Sequence, residues 1–139
     1  MSWYLTLNMI SNGYLEVVYK YKPQNIIYYT GGNDIKKYVD SKIIYQNMVL
    51  FYEKMNNNFT NFIFIQIIKS LKKRLFPEQI IEIDYVNNLI KKFCIKNNIK
   101  YINVNKELKN KKYYEEDNNH LTEEGYNKIN KKILGLIKI

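Results

Sequence analysis

Alanine is absent from this sequence, and arginine, cysteine, tryptophan and histidine occur once each, as Arg74, Cys94, Trp3 and His120. One cysteine excludes a disulfide framework and any cysteine-based metal site. Cys94 lies in Phe93-Cys94-Ile95 on an expected helix, where a thiol serves as a small buried apolar group. Long hydrophobic runs are missing too: Phe62 to Ile68 falls far short of the ~18 residues that a membrane-spanning helix needs. Met1-Ser2-Trp3-Tyr4-Leu5 carries no basic leader and no small-residue cleavage site, so no signal peptide is visible and the cytoplasm is the default expectation. The scarcity of arginine bears on the net charge of +9, which by itself would invite nucleic acid or an anionic membrane. A phosphate-binding face clusters its charge and uses arginine for bidentate contacts. Here lysine is spread through every segment together with Asn, Ile and Tyr, which is a global bias of composition. A basic nucleic-acid-binding module is therefore the least favoured class.

What is present argues for a packed domain. Hydrophobic residues make up 46% of the chain and 14 are tyrosines, which excludes a disordered segment. At 139 residues the chain reads as one domain, able to bury roughly two-thirds of its surface.

In chain order, Leu7, Ile10, Tyr14, Leu15, Val18 and Tyr21 recur at helical spacing and predict a first helix, stopped at Lys22-Pro23. Ile26-Ile27-Tyr28-Tyr29-Thr30 predicts a buried strand that ends in Gly31-Gly32. Asp40 or Ser41 can cap a helix with Ile44, Met48, Phe51, Tyr52 and Met55 on its inner face. Phe62 to Ile68 predicts a second strand, and Pro77-Glu78 suits the first turn of a helix that buries Tyr85, Val86, Leu89, Ile90 and Phe93. Ile99 to Val104 predicts a third strand. Thr122 caps the last helix, with Glu123 and Glu124 at its positive end and Leu121 stapled to Tyr126. Strands alternating with helices imply an α/β fold with a parallel sheet and helices on both faces. Ligands in such sheets bind beyond the carboxyl ends of the strands.

Two stretches fall at those ends. Asp117-Asn118-Asn119-His120 puts a carboxylate three residues ahead of the lone imidazole. That spacing lets the acid reach Nδ1, fix the tautomer and leave Nε2 as a proton acceptor. Taken without context, a solvated surface histidine is the commoner outcome. Gly31-Gly32-Asn33-Asp34 is the other stretch, where an asparagine amide can act as an oxyanion donor. The bland alternative for Asn33 and Asp34 is an Asx-turn, and for Asp34 that alternative is preferred.

Together these stretches resemble the SGNH (GDSL-type) hydrolases, a family of esterases and acylhydrolases. Gly31-Gly32-Asn33-Asp34 is similar to the family's Gly-x-Asn-Asp block, and Asp117-Asn118-Asn119-His120 to its Asp-x-x-His block. Phe76-Pro77, Asn87-Asn88-Leu89-Ile90, Asn103-Val104 and Leu121 to Tyr126 follow the family's run of elements. The resemblance extends from about Tyr14 to the end. It implies His120 as general base, Asp117 as its orienting partner, and Asn33 with Gly31 in the oxyanion hole. It also implies a small-molecule ester substrate (of a lipid, sugar or small alcohol), with no metal and no cofactor.

The fold it implies is a three-layer α/β/α, flavodoxin-like parallel sheet. The family's nucleophile is the serine of a Gly-Asp-Ser block at the end of the first strand, and no Gly-Asp-Ser occurs here. Ser2, Ser11, Ser41 and Ser70 are the only serines, and none ends a strand ahead of Gly31. The expectation is an N-terminally truncated single domain over residues 1–139, its sheet incomplete for want of the first strand. Such a chain carries no identifiable nucleophile of its own, which implies either a truncated or split reading frame or a partner chain that supplies strand and serine. A non-catalytic remnant that binds an ester or a protein is the alternative.

Overall fold

The computed structural model describes residues 24–29, 40–55 and 61–137. The helix predicted between Leu5 and Tyr21 and the Gly31–Asp34 stretch lie outside the described residues, as do Ser2 and Ser11. The described elements are β1 (Asn25–Tyr28), α1 (Ser41–Met55), β2 (Asn61–Ile65), α2 (Pro77–Lys96), β3 (Lys100–Ile102) and α3 (Glu123–Leu134). Short 3₁₀ turns at Lys73–Leu75 and Lys111–Tyr113 punctuate the loops after β2 and β3.

The strands form a parallel sheet in the order β1-β2-β3. Each crossover runs through one helix, and the strands advance in one direction, so right-handed connections put α1 and α2 on the same face. They do pack together there. Tyr28, Phe62 and Phe64 project onto that face and meet Ile44, Met48, Phe51 and Met55 of α1 and Ile83, Val86, Ile90 and Cys94 of α2. Aromatic rings dominate the contact: Tyr28 lies 5.1 Å from both Phe51 and Phe64, and Tyr52 stands edge-on to Phe62 at 5.1 Å. Because side chains alternate along a strand, Ile63 and Ile65 point the other way. They join Ile102, Val104, Leu108, Tyr113, Tyr114, Leu121 and Ile129 in an aliphatic layer beneath α3.

Local chemistry sets the boundaries. The Asp40 carboxylate accepts from the Lys42 N–H (2.9 Å) and starts α1. Pro77 opens α2, whose missing N–H costs nothing in the first turn. Asn98, in the left-handed region at φ 54°, follows the end of α2, and the Ile99 N–H bonds back to the Cys94 carbonyl (2.8 Å).

Expectations on β2, β3 and α2 need correction: β3 covers only Lys100–Ile102 of the expected Ile99 to Val104, and Leu89 and Phe93 of α2 are only half-buried. β2 stops at Ile65 rather than Ile68, because β3 runs out at Ile102 and side-chain amides take over the hydrogen bonding. Asn87 accepts from the Ile67 N–H (2.8 Å) and donates to its carbonyl (3.0 Å). Asn105 accepts from the Lys69 N–H (2.7 Å), and Gln66 Oε1 accepts from the Val104 and Asn105 N–H groups (3.2 Å each). Tyr85 is not buried but 43% exposed. It lies about 200° around the helix from Ile83, on the far side of the face that Gln79, Ile83, Val86, Asn87, Ile90 and Cys94 turn inward.

Candidate active site

Asp117 and His120 sit at the tip of a loop closed by its own backbone. Tyr114 pairs with Leu121 in an antiparallel bridge, the Glu115 N–H donates to the His120 carbonyl (2.8 Å), and the Asn118 N–H donates to the Glu115 carbonyl (2.9 Å). Asn118 makes the turn at φ 59°, a left-handed conformation that asparagine tolerates better than most residues. Asp117 then folds back over the turn. Its Oδ1 accepts from the Asn119 and His120 N–H groups (2.9 and 3.0 Å), and its Oδ2 is hydrogen-bonded to His120 Nδ1. The imidazole holds the Asp117 carboxyl well below the usual carboxylate range, and the two backbone donors add to the effect. With Nδ1 committed to a carboxylate, a neutral ring carries its lone pair on Nε2. The side chains of His120 and Asp117 remain 30% and 43% exposed, so the pair borders solvent.

The loop is fastened on its other flank by the start of α3. Thr122 caps the helix by accepting from the Gly125 N–H (3.2 Å). Its hydroxyl also donates to the Lys112 carbonyl (3.0 Å), and its N–H to the Tyr113 carbonyl (2.9 Å). Gly125 is packed so closely that an added Cβ would stand 2.5 Å from the Tyr113 carbonyl oxygen. Leu121 and Tyr126 both pack into the aliphatic layer, as the expected staple requires.

The carboxyl ends of all three strands meet around this loop. From beyond β2, Ser70 Oγ donates to Asn119 Oδ1 (2.8 Å), and the Lys72 N–H donates to the Asn118 carbonyl (2.9 Å). From beyond β1, the Tyr29 phenol is pushed up by burial and by the neighbouring Tyr126 and Tyr114 phenols. Tyr29 as a residue is 39% exposed. From beyond β3 comes the loop itself, anchored by the Tyr114 hydroxyl on the Leu108 carbonyl (2.6 Å).

The structure thus brings His120 and Asp117 together at the carboxyl rim of the sheet. Asn33 and Gly31 fall outside the described residues, in the segment that follows β1. Of the described serines, Ser41 is the first residue of α1, and Ser70 is 1% exposed with its hydroxyl given to Asn119. The Ser70 hydroxyl is thus buried and engaged, and Ser41 stands at a helix start rather than at a strand end. Among the described residues no group of three or more His, Cys, Asp or Glu is placed to hold a metal ion, and no helix is long and apolar enough to cross a membrane. Sequence reasoning passed over the link between Ser70 and Asn119. Its only trace in the chain is a serine three residues ahead of Lys73, whose N–H it accepts (3.2 Å).

No protein-family model and no curated protein matches the sequence. Solved structures do match the fold. A GDSL-like lipase from Bacteroides thetaiotaomicron aligns over 96% of this chain and 71% of its own, with a TM-score of 0.82 at 19% identity. A member of the lipolytic G-D-S-L family from Veillonella parvula aligns over 94% of this chain and 73% of its own, with a TM-score of 0.75 at 20% identity. A serine-to-alanine mutant of an acetyl esterase, solved with acetate ion, covers 97% of this chain and 69% of its own, with a TM-score of 0.76 at 16% identity. The chain therefore has the fold of the GDSL-type hydrolases, a flavodoxin-like α/β sheet of which three strands are described here.

Proposed function

We propose that this GDSL-type fold serves ester hydrolysis and that residues 1–139, one domain of that type, carry the acid-base and oxyanion half of the site. The observation that carries the reading is the Asp117–His120 pair at the carboxyl rim of a sheet shared with a lipase and an esterase. In this scheme a serine on a Gly-Asp-Ser segment, supplied from outside this sequence, attacks the ester carbonyl. His120 Nε2 accepts the serine proton as the bond forms, while Asp117 steadies the imidazolium. Asn33 and Gly31 donate to the tetrahedral oxyanion, a stabilisation of about 10²–10³ in rate per donor. His120 then hands the proton to the departing alkoxide. Water, deprotonated by the same nitrogen, cleaves the acyl-enzyme.

Without the serine, turnover falls by roughly 10⁶ relative to a complete triad. The test is reconstitution. Joined to a strand that ends in Gly-Asp-Ser, the chain hydrolyses p-nitrophenyl acetate, and His120→Ala in the fusion removes the activity. No gain on adding that segment would count against the proposal. The absence of Gly-Asp-Ser also favours a second reading, a non-catalytic binder of esters built on the same fold. A fusion that binds a non-hydrolysable phosphonate ester yet never turns over its substrate would select that reading.

A further inference from the structure

We infer that Ser70 is a positioning residue for the Asp117–His120 pair, acting through Asn119. The inference rests on the acid-base reading of that pair and names what holds it in place. Asp117 sits on an exposed tip, one residue before a left-handed turn at Asn118. Local hydrogen bonds shape the tip, but the loop after β2 grips both residues that separate the acid from the histidine. Asn118 is held through its carbonyl by the Lys72 N–H (2.9 Å). Asn119 is held at two ends: its N–H donates to Asp117 Oδ1 (2.9 Å), and its side-chain oxygen accepts from Ser70 Oγ (2.8 Å).

Ser70 is itself fixed. It is 1% exposed, and its hydroxyl also accepts from the Lys73 N–H (3.2 Å) in the adjoining 3₁₀ turn. Beneath it, Asn105 fastens the Lys69 N–H and Asn87 the Ile67 N–H, so the serine stands on a stitched stretch of backbone. A buried donor aimed at the middle of this solvent-bordering tetrapeptide sets the direction of the Asn119 N–H. That N–H in turn sets where the Asp117 carboxylate points. Ser70 therefore reaches the imidazole through Asn119 and Asp117 without touching it.

The single histidine makes the test direct, because one set of imidazole resonances reports the site. In the full chain, the His120 Nδ1–H proton is followed by ¹⁵N-edited NMR, and the Asp117 carboxyl by ¹³C titration. Ser70→Ala speeds exchange of the Nδ1–H with water by about tenfold, the effect expected from one net hydrogen bond, and moves the Asp117 midpoint up towards an ordinary aspartate. Lys111, whose ammonium donates to Asn118 Oδ1 (2.7 Å), and Glu115 and Glu116, next to Asp117 in sequence, are the same in both proteins. Asn119→Ala gives the same changes, and the double variant adds nothing to either single one. If Ser70→Ala loses its fold by circular dichroism, Asn119→Ala, on the loop itself, decides the matter. Unchanged exchange and an unchanged midpoint in the folded variants would overturn the inference. If instead Asp117→Asn leaves the wild-type Nδ1–H signal untouched, the pair fails and the clamp with it, so the two failures read differently.

Discussion

Asp117 keeps its charge because a ring nitrogen and two backbone N–H groups converge on one carboxylate. Replacing the ring removes the largest of these influences and leaves the other two. In His120→Ala the Asp117 midpoint accordingly rises towards the ordinary aspartate value without reaching it, as a ¹³C titration will read. Its folded pKa lies below the unfolded one, so the interaction stabilises the fold above about pH 4 and is lost as acid protonates the carboxyl. Solvent screens so exposed a pair, and the contribution to stability is correspondingly small. Cys94 is the opposite case, a titratable group with nothing to do. Burial against α1 and the sheet pushes its thiol up to about 12. Iodoacetamide at pH 8 should leave it unmodified in the native chain and label it fully in guanidinium, since only the thiolate reacts.

Among the elements, α3 and the stretch beyond β2 do most to build the rim. Glycine in a helix usually gains from replacement by alanine, but at Gly125 the new methyl would meet the Tyr113 carbonyl at 2.5 Å. Gly125→Ala should therefore lower stability by about 1–3 kcal/mol, the usual range for overpacking, measured by urea unfolding. Asn87→Ala strands the Ile67 N–H, while the Ile67 carbonyl keeps its bond from Asn105 (3.0 Å). One orphaned buried donor costs about 1–3 kcal/mol, and the same titration will show it. These two positions also mark what could be read from the chain. Hydrophobic period and end signals located β1, α1, α2 and α3, because Asp40, Pro77 and Thr122 act through neighbours a few residues away. The early end of β2 was illegible, since it depends on Asn87, Gln66 and Asn105 meeting a backbone twenty to forty residues distant. Tyr85 misled for a related reason: an aromatic at helical spacing from Leu89 fits an inward stripe until the sheet decides which stripe faces in. The Asp-x-x-His turn was legible because it is local. The grip of Ser70 on Asn119 was not, as it spans 49 positions.

On the scale of the molecule, the +9 charge comes from lysines spread along the whole sequence. Lys69, Lys112 and Lys132 are matched by Asp84, Glu124 and Glu107, which suits a scattered surface better than a phosphate track. Retention on heparin should be weak and should fall shallowly with salt; a steep loss would speak for a nucleic-acid role. The sheet has a further effect through the way it sorts its side chains. Phe62 and Phe64 look towards α1 and α2, and Ile63 and Ile65 towards α3 and the histidine loop. The domain is in this sense a laminate of two plies, joined by the sheet backbone and by the amides of Asn87, Gln66 and Asn105 at its rim. Damage to the ring-rich ply, as by Phe62→Leu, slackens the hold on two helices while the ply under His120 keeps its contacts. Thermal endurance can therefore be retuned among the rings of one flank so long as Asn87, which ties α2 to the backbone beneath Ser70, is kept.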